Sequence, residues 1–221
     1  MKKNLKIVYK DGSGELVEKK SRFIATVKAV HSEQEAVEFI EGMKKKYWDA
    51  RHNCSAFVLG DGTVTRCSDD GEPSGTAGRP MLEVLMSENV TDVCVVVTRY
   101  FGGVLLGTGG LVRAYQGAVK EGLAGCELAE RKEGFHYTLT TDYPGFGKIQ
   151  YMMETEGIPC LHTTYADGVT LEVICPVKLQ DRFLKRVTEV TNGQAGIELI
   201  KECFYLETKG KVEITEPSAG E

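Results

Sequence analysis

The chemistry-bearing residues of this 221-residue chain gather in three short stretches. In SDDGEPSGTAGRP, residues 68–80, Asp69, Asp70 and Glu72 place three carboxylates within four positions. Closely spaced acids can hold Mg2+ or exchange protons. The same Asp-Gly and Glu-Pro steps are also ordinary turn chemistry on a solvated loop. In RYFGGVLLGTGGLVRAYQGAV, Arg99–Val119, five glycines run into a helical pattern. In RHNC, His52 and Cys54 alternate, which puts a base and a thiol on one face of a strand with or without chemistry between them.

The glycine stretch fails both strong phosphate motifs. A P-loop needs G-x-x-x-x-G-K-[ST]; Gly102 and Gly107 have the spacing, but Thr108 follows at once and the lysine is missing. The dinucleotide fingerprint begins at Gly107-Thr108-Gly109, and Val112 stands where its third glycine belongs. What remains is a helix starting near Thr108–Gly110, with free N–H groups at its positive end and Thr108 as a candidate cap. An anion there would gain about 0.3–1 kcal/mol. Alternatively, the glycines serve positive φ and close chain approach; at the level of sequence both readings stand.

The elements that must position these residues are readable in outline. Residues 15–30 form two short strands joined near Lys20–Ser21, and 32–47 a helix with Ser32 as cap and Glu35 completing an S-x-x-E box. Residues 53–60 and 63–68 flank Asp61-Gly62, a two-residue hairpin signal. Pro80 opens a helix over 81–86. Residues 92–98 are apolar enough for a central strand. In the helix after the glycines, Leu111, Tyr115, Ala118 and Gly122 share one face. The second half reads strand 135–141, helix 146–156, strands 158–164 and 169–175, helix 179–190 and strand 197–206. That βαββαβ order is the ferredoxin-like plan. The chain turns polar near 129–133, so we expect domains over 1–130 and 131–207, followed by a disordered tail over 208–221.

Bulk properties exclude several classes. Net charge is −5, with 17 basic against 18 acidic residues up to Glu130 and 10 against 14 beyond it. Neither part is a basic arm, which argues against strong nonspecific duplex DNA binding. The longest apolar run, VCVVV, is too short for a membrane span, and the N-terminus lacks a signal-peptide core. Seven cysteines without a C-x-x-C pair read as small hydrophobes in a reducing compartment rather than as zinc ligands. A cytoplasmic protein without membrane partners is expected. Lys19, Lys20 and Arg22 surround Ser21, and Arg182, Lys185 and Arg186 lie at near-helical spacing; solvated faces account for both groups. Tyr100 and Phe101, beside Arg99, offer rings on which unpaired RNA bases could stack.

Taken together, KKSRFIA, DARHNCSAFV, SDDGEPSGTAGRPML and VVVTRYFGGVLLGTGGLVRAY resemble the IMPACT family, in particular its bacterial YigZ-type members. The resemblance is strong over about 15–125 and rests on layout beyond that. It implies an α+β, two-domain fold: an N-terminal α/β sandwich like domain IV of elongation factor G, and a ferredoxin-like C-terminal domain like its domain V. It also implies a connection with translation. Eukaryotic members regulate translation by competing for the activator of a stress-responsive initiation-factor kinase, and carry an extra N-terminal domain. The shared module starts here near residue 15, so that kinase role is not expected. No catalytic activity or cofactor is implied.

The leading expectation is a noncatalytic, translation-associated protein that binds RNA or a ribosomal or translation-factor partner. Its contacts would come from Arg22, Arg79, Arg99, Tyr100, Thr108, Gly109 and Arg113. One rival is an enzyme acting on a phosphorylated small molecule or nucleotide, with Mg2+ on Asp69, Asp70 and Glu72. The other is a pure protein-interaction module.

Overall fold

The computed structural model describes residues 5–60, 62–208 and 211–215. It divides into two compact units, one reaching to Glu130 and the other starting at Arg131. The first unit contains β1 (Leu5–Lys10), β2 (Gly12–Glu18), β3 (Ser21–Ala29), α1 (Glu33–Lys46), β4 (His52–Leu59) and β5 (Val64–Ser68). These are followed by α2 (Gly78–Ser87), β6 (Val90–Thr91), β7 (Val93–Tyr100) and α3 (Thr108–Ala124). Five strands form an antiparallel sheet in the order β2-β3-β7-β4-β5, while β1 and β6 pair in parallel outside that sheet, as strands of the chain's other sheet.

Strand alternation sorts the sheet residues between two cores. Ala25, Val27, Cys54, Ala56, Val93, Val95 and Val97 pack with Met81 and Leu85 of α2 and with Leu111, Tyr115 and Ala118 of α3. On the opposite face, Val30, Phe57, Leu59 and Cys94 meet Ala36, Phe39 and Ile40 of α1. The near-continuous apolar run of β7 follows from this, since the central strand is covered on both faces. Helix α1 begins as its sequence requires. The Ser32 hydroxyl accepts from Glu35 N, and the Glu35 carboxylate accepts from His31 N, one residue before the cap.

Two connections shape the end of this sheet. Strands β2 and β3 pair down to Glu18 and Ser21, leaving a two-residue turn, Lys19-Lys20. Both residues are left-handed, with φ of 45° and 67°. This is the type I′ pattern, normally filled by Asn-Gly. A β-carbon in that region costs of order 1–2 kcal/mol per residue. The β4–β5 connection is longer than the expected two-residue turn. Its last pair is Leu59 with Val64, so residues 60–63 make the turn, with positive φ at Gly60 and Gly62. Asp61 lies outside the described residues.

The second unit contains β8 (Glu127–Thr141, which starts in the last residues of the first unit), α4 (Tyr143–Glu156), β9 (Cys160–Tyr165), β10 (Val169–Pro176), α5 (Gln180–Val190), β11 (Gly196–Thr208) and β12 (Lys211–Thr215). The antiparallel order β9-β10-β8-β11, with both helices packed through Ile149, Met152, Phe183 and Val187, is the ferredoxin-like arrangement read from the sequence. The fold is thus α+β in two domains. The expected disorder after Thr208 is corrected for part of its length. Residues 211–215 pair with 204–208 as β12, because the alternating Val212 and Ile214 suit a strand. The rest of that expectation falls on residues outside the described set. Helix α2 begins at Gly78, so Pro80 is its third residue rather than its first.

Strand β2 lies directly under α3. A β-carbon on Gly14 would overlap the main chain of Glu121 and Gly122. Substituting Gly14→Ala should therefore push the helix off the strand and destabilise the protein by about 1–3 kcal/mol, measured by urea unfolding.

Candidate functional site

The antiparallel register places the ends of four sheet strands together. Ser21 begins β3, Tyr100 ends β7, His52 begins β4 and Ser68 ends β5; Arg22 faces Tyr100, His52 faces Arg99, and Ser55 faces Ser68. Four loops therefore leave from one end of one sheet: the Lys19-Lys20 turn, residues 47–51, residues 69–77 and residues 101–107. These contain the motif stretches singled out above. The glycines make the convergence possible. A β-carbon on Gly102 would overlap the Lys20 carbonyl, so the β7–α3 loop can lie on the hairpin turn only with glycine there.

Beneath the loops is a buried polar chain. Arg99 Nη1 lies 2.6 Å from Glu72 Oε1, and the Tyr115 hydroxyl donates to the same oxygen at 2.8 Å. The Arg99 and Glu72 side chains are only 9% and 2% exposed. The guanidinium sits 5.5 Å from the Phe23 ring and 5.7 Å from the Phe101 ring, while Phe23 meets Tyr115 edge-on. Cys54 Sγ is 3.3 Å from the Tyr115 hydroxyl and 3.0 Å from the Asp69 carbonyl oxygen. Burial pushes the Cys54 thiol up to about 12 and raises the Tyr115 phenol further, so both stay protonated at neutral pH.

The carboxylates that looked available for a metal are committed elsewhere. Asp69 accepts three main-chain N–H bonds, from Gly75, Ala77 and Gly78, at 2.8–3.0 Å. Partial burial acts to raise its pKa, but the three donors prevail and hold it below the ordinary value. Asp70 accepts from Asn53 N and pairs with Lys44. Glu72 serves Arg99 and Tyr115. Among the described residues no group of three or more His, Cys, Asp or Glu is arranged to hold a metal. The sequence spacing was misleading because the turn sends the three side chains to different partners. The His52–Cys54 pair is likewise not brought together: His52 Nδ1 donates to the Asp70 carbonyl at 2.9 Å, while the Cys54 thiol is buried against Tyr115 and burial holds it in the protonated form.

Of the residues expected to contact RNA, Arg99 is corrected most. It is a buried ion-pair member rather than a presented cation. Arg22 is exposed, but pairs in bidentate fashion with Glu15 at 2.7 and 3.0 Å. Arg79 is exposed on α2 and pairs with Glu83 at 3.3 Å. Tyr100 donates to Asp49 at 2.8 Å. Thr108 is the first helical residue and does not cap α3; the cap is Gly107, at φ 74°, with no side-chain hydrogen bond. The amides of Thr108, Gly109 and Gly110 precede the first α-helical bond, which Leu111 N makes to Gly107 O. Arg113, one turn later, reaches back over Gly109 and is exposed. Residues the sequence reading passed over also lie at this end. Trp48 is 83% and Leu105 82% exposed, and Val104 is open too, as is the already noted Phe101. The Tyr115 hydroxyl, on an otherwise apolar helical stripe, was the available signal for a buried polar partner.

Comparison with known proteins finds two matching domain families along the chain. Residues 19–123 match the Impact N-terminal domain model, and 139–194 match a domain of unknown function, DUF1949. The member YvyE of Bacillus subtilis is 45% identical over 197 residues, covering 89% of this chain and 90% of YvyE. The chain belongs to the IMPACT family. Another IMPACT member, YigZ of Escherichia coli, is 36% identical over 187 residues, covering 83% of this chain and 92% of its own. A solved structure described only as a hypothetical protein is 33% identical, with a TM-score of 0.56 over 91% of this chain and 99% of that one. The Dictyostelium discoideum IMPACT homologue shares 39% identity over 97 residues, 42% of this chain and 28% of that protein. No helix among the described residues is long and apolar enough to cross a membrane.

Two outcomes follow from the buried chain. Glu72→Ala leaves the Arg99 charge sealed without its counter-ion and should cost about 3–5 kcal/mol in urea unfolding. Asp69 has its pKa depressed by folding, so its contribution is complete above the unfolded carboxylate value of about 3.9 and is lost as pH falls through the lower folded value. Stability of Asp69→Asn should therefore fall less steeply below about pH 4 than that of the parent chain.

Proposed function

We propose that this IMPACT-family chain is a noncatalytic, translation-associated regulator of the cytoplasm that docks on RNA or a ribosomal partner. The docking face is the loop end of the first domain's sheet. The observation that carries the reading is the convergence of the four motif-bearing loops at that end, with the uncapped start of α3 and Arg113 among them. Tyr100, Thr108, Gly109 and Arg113 form its centre. Arg22 and Arg79 flank it with charges already matched by Glu15 and Glu83, and Arg99 acts from beneath as support.

Family membership supports the link to translation. The metal-enzyme reading receives no such support, because Asp69, Asp70 and Glu72 are each engaged by other groups. The test is sedimentation of the purified chain with ribosomes through a sucrose gradient, and binding to a labelled single-stranded RNA. The parent chain should associate, more weakly as salt rises. Arg113→Glu, an exposed change, should reduce association several-fold without altering the melting temperature. Unchanged association of Arg113→Glu would remove Arg113 from the docking face; failure of the parent chain to bind either target would end the reading.

A further inference from the structure

The cations at the loop end fall into two sets. Arg22, Arg79 and Arg99 each have a carboxylate within 3.3 Å. Lys19, Lys20, Arg51 and Arg113 are exposed, and none of them has an ion pair among the described residues. Lys19 and Lys20 are also the two residues whose backbone is least suited to their type, both being left-handed in a turn that favours Asn-Gly. Nothing in the packing asks for lysine there. Both residues are exposed, and the close approach of Gly102 falls on the main chain of Lys20. A local rule broken with no structural return points to a requirement outside the fold.

From this we infer that the Lys19-Lys20 turn is the principal phosphate-contacting element of the docking face, with Arg51 and Arg113 extending it, and that its ligand is the backbone of unpaired RNA. The inference rests on the RNA branch of the function proposed above. The turn is preorganised. The β2–β3 ladder ends directly below it and the glycine loop seats on its carbonyl, so the backbone that carries the two lysines is held in place, and neither ammonium is ion-paired among the described residues. The positions of the other two cations follow from the register. Arg51 immediately precedes His52, which faces Arg99 across the ladder. Along β2, Gly12 meets Gly125, Gly14 meets Glu121 and Leu16 meets Gly117, so the start of α3 comes to the level of the turn. Trp48 supplies the argument for RNA over a protein surface. It is almost fully exposed, and the neighbouring Asp49 is bonded to Tyr100 at the same sheet end. An open indole beside unmatched cations suits base stacking with backbone neutralisation.

The experiment replaces Lys19 and Lys20 by the residues the turn itself prefers, Lys19→Asn with Lys20→Gly. The binding probe is a fluorescein-labelled single-stranded 20-mer RNA followed by anisotropy from 0.05 to 0.5 M salt. The melting temperature should hold or rise, because the turn loses its strain. Affinity near 0.15 M salt should fall about tenfold, and the slope of log K against log salt should flatten by about 1.4, for two lost phosphate contacts on a single strand. Lys19→Arg with Lys20→Arg should keep most of the binding. Parent-like affinity and slope in the Asn-Gly variant would overturn the inference while leaving the function reading intact. A melting temperature lowered by the Asn-Gly change would also overturn it, by showing that the lysines serve the fold. Absence of RNA binding by the parent chain would overturn the inference and the RNA branch of the function reading, and leave its ribosomal-partner branch to the sedimentation test.

Discussion

The Glu72 carboxylate is almost sealed from water, and one of its oxygens faces both a guanidinium and a phenol. Glu72 belongs to a loop, Arg99 to the central strand β7 and Tyr115 to helix α3, so this contact ties three separate parts of the chain together. A buried charge without its partner is far more costly than a correctly matched pair is helpful. The arrangement therefore acts as a criterion of correctness more than as a source of stability. The Asp69 carboxylate closes the 69–77 loop from the other end by collecting three main-chain N–H groups.

The two ends of the site thus divide their work. Inside, acids and bases are neutralised against one another and the aromatic rings of Phe23, Phe101 and Tyr115 pack around them. Outside, the start of α3 has no side-chain cap, Trp48 is open, and Lys19, Lys20, Arg51 and Arg113 have no ion pair among the described residues. The glycines belong to the first task more than to the second. Gly102 lets one loop rest on another, and Gly107 takes the positive φ that starts α3. The phosphate cradle that the glycine spacing suggests is thereby reduced to an open helix start.

Periodicity made much of this fold legible. The α1 box at Ser32 and Glu35, the buried stripe of α3 and the βαββαβ order of the second domain all depend on local patterns, and local patterns survive folding. The losses were of another kind. Arg99 stands among the expected RNA contacts on the strength of the glycine loop and the family resemblance, whereas its partner Glu72 lies 27 positions away and only the seating of the 69–77 loop at the end of β7 brings them together. Arg22 with Glu15 and Tyr100 with Asp49 are likewise brought together by the fold. Charge type can be read from sequence; charge satisfaction is a tertiary property. Strand β12 was missed because its five residues are polar on one side, and the pairing with β11 supplies what propensity does not.

The position of β7 has a consequence for how the molecule is made. Its neighbours β3 and β4 are formed from chain synthesised long before it, and the sheet has no centre until it arrives. The β2–β3 hairpin closes locally and quickly, whereas β3 and β4 must wait unpaired on the sides that β7 will occupy. During synthesis from the N-terminus, the edges of β3 and β4 that β7 will pair stay open until Tyr100 has left the ribosome, and the Glu72 contact with Arg99 and Tyr115 is complete only once Tyr115 has followed. The loop end is therefore missing from every nascent chain that stops short of Tyr115.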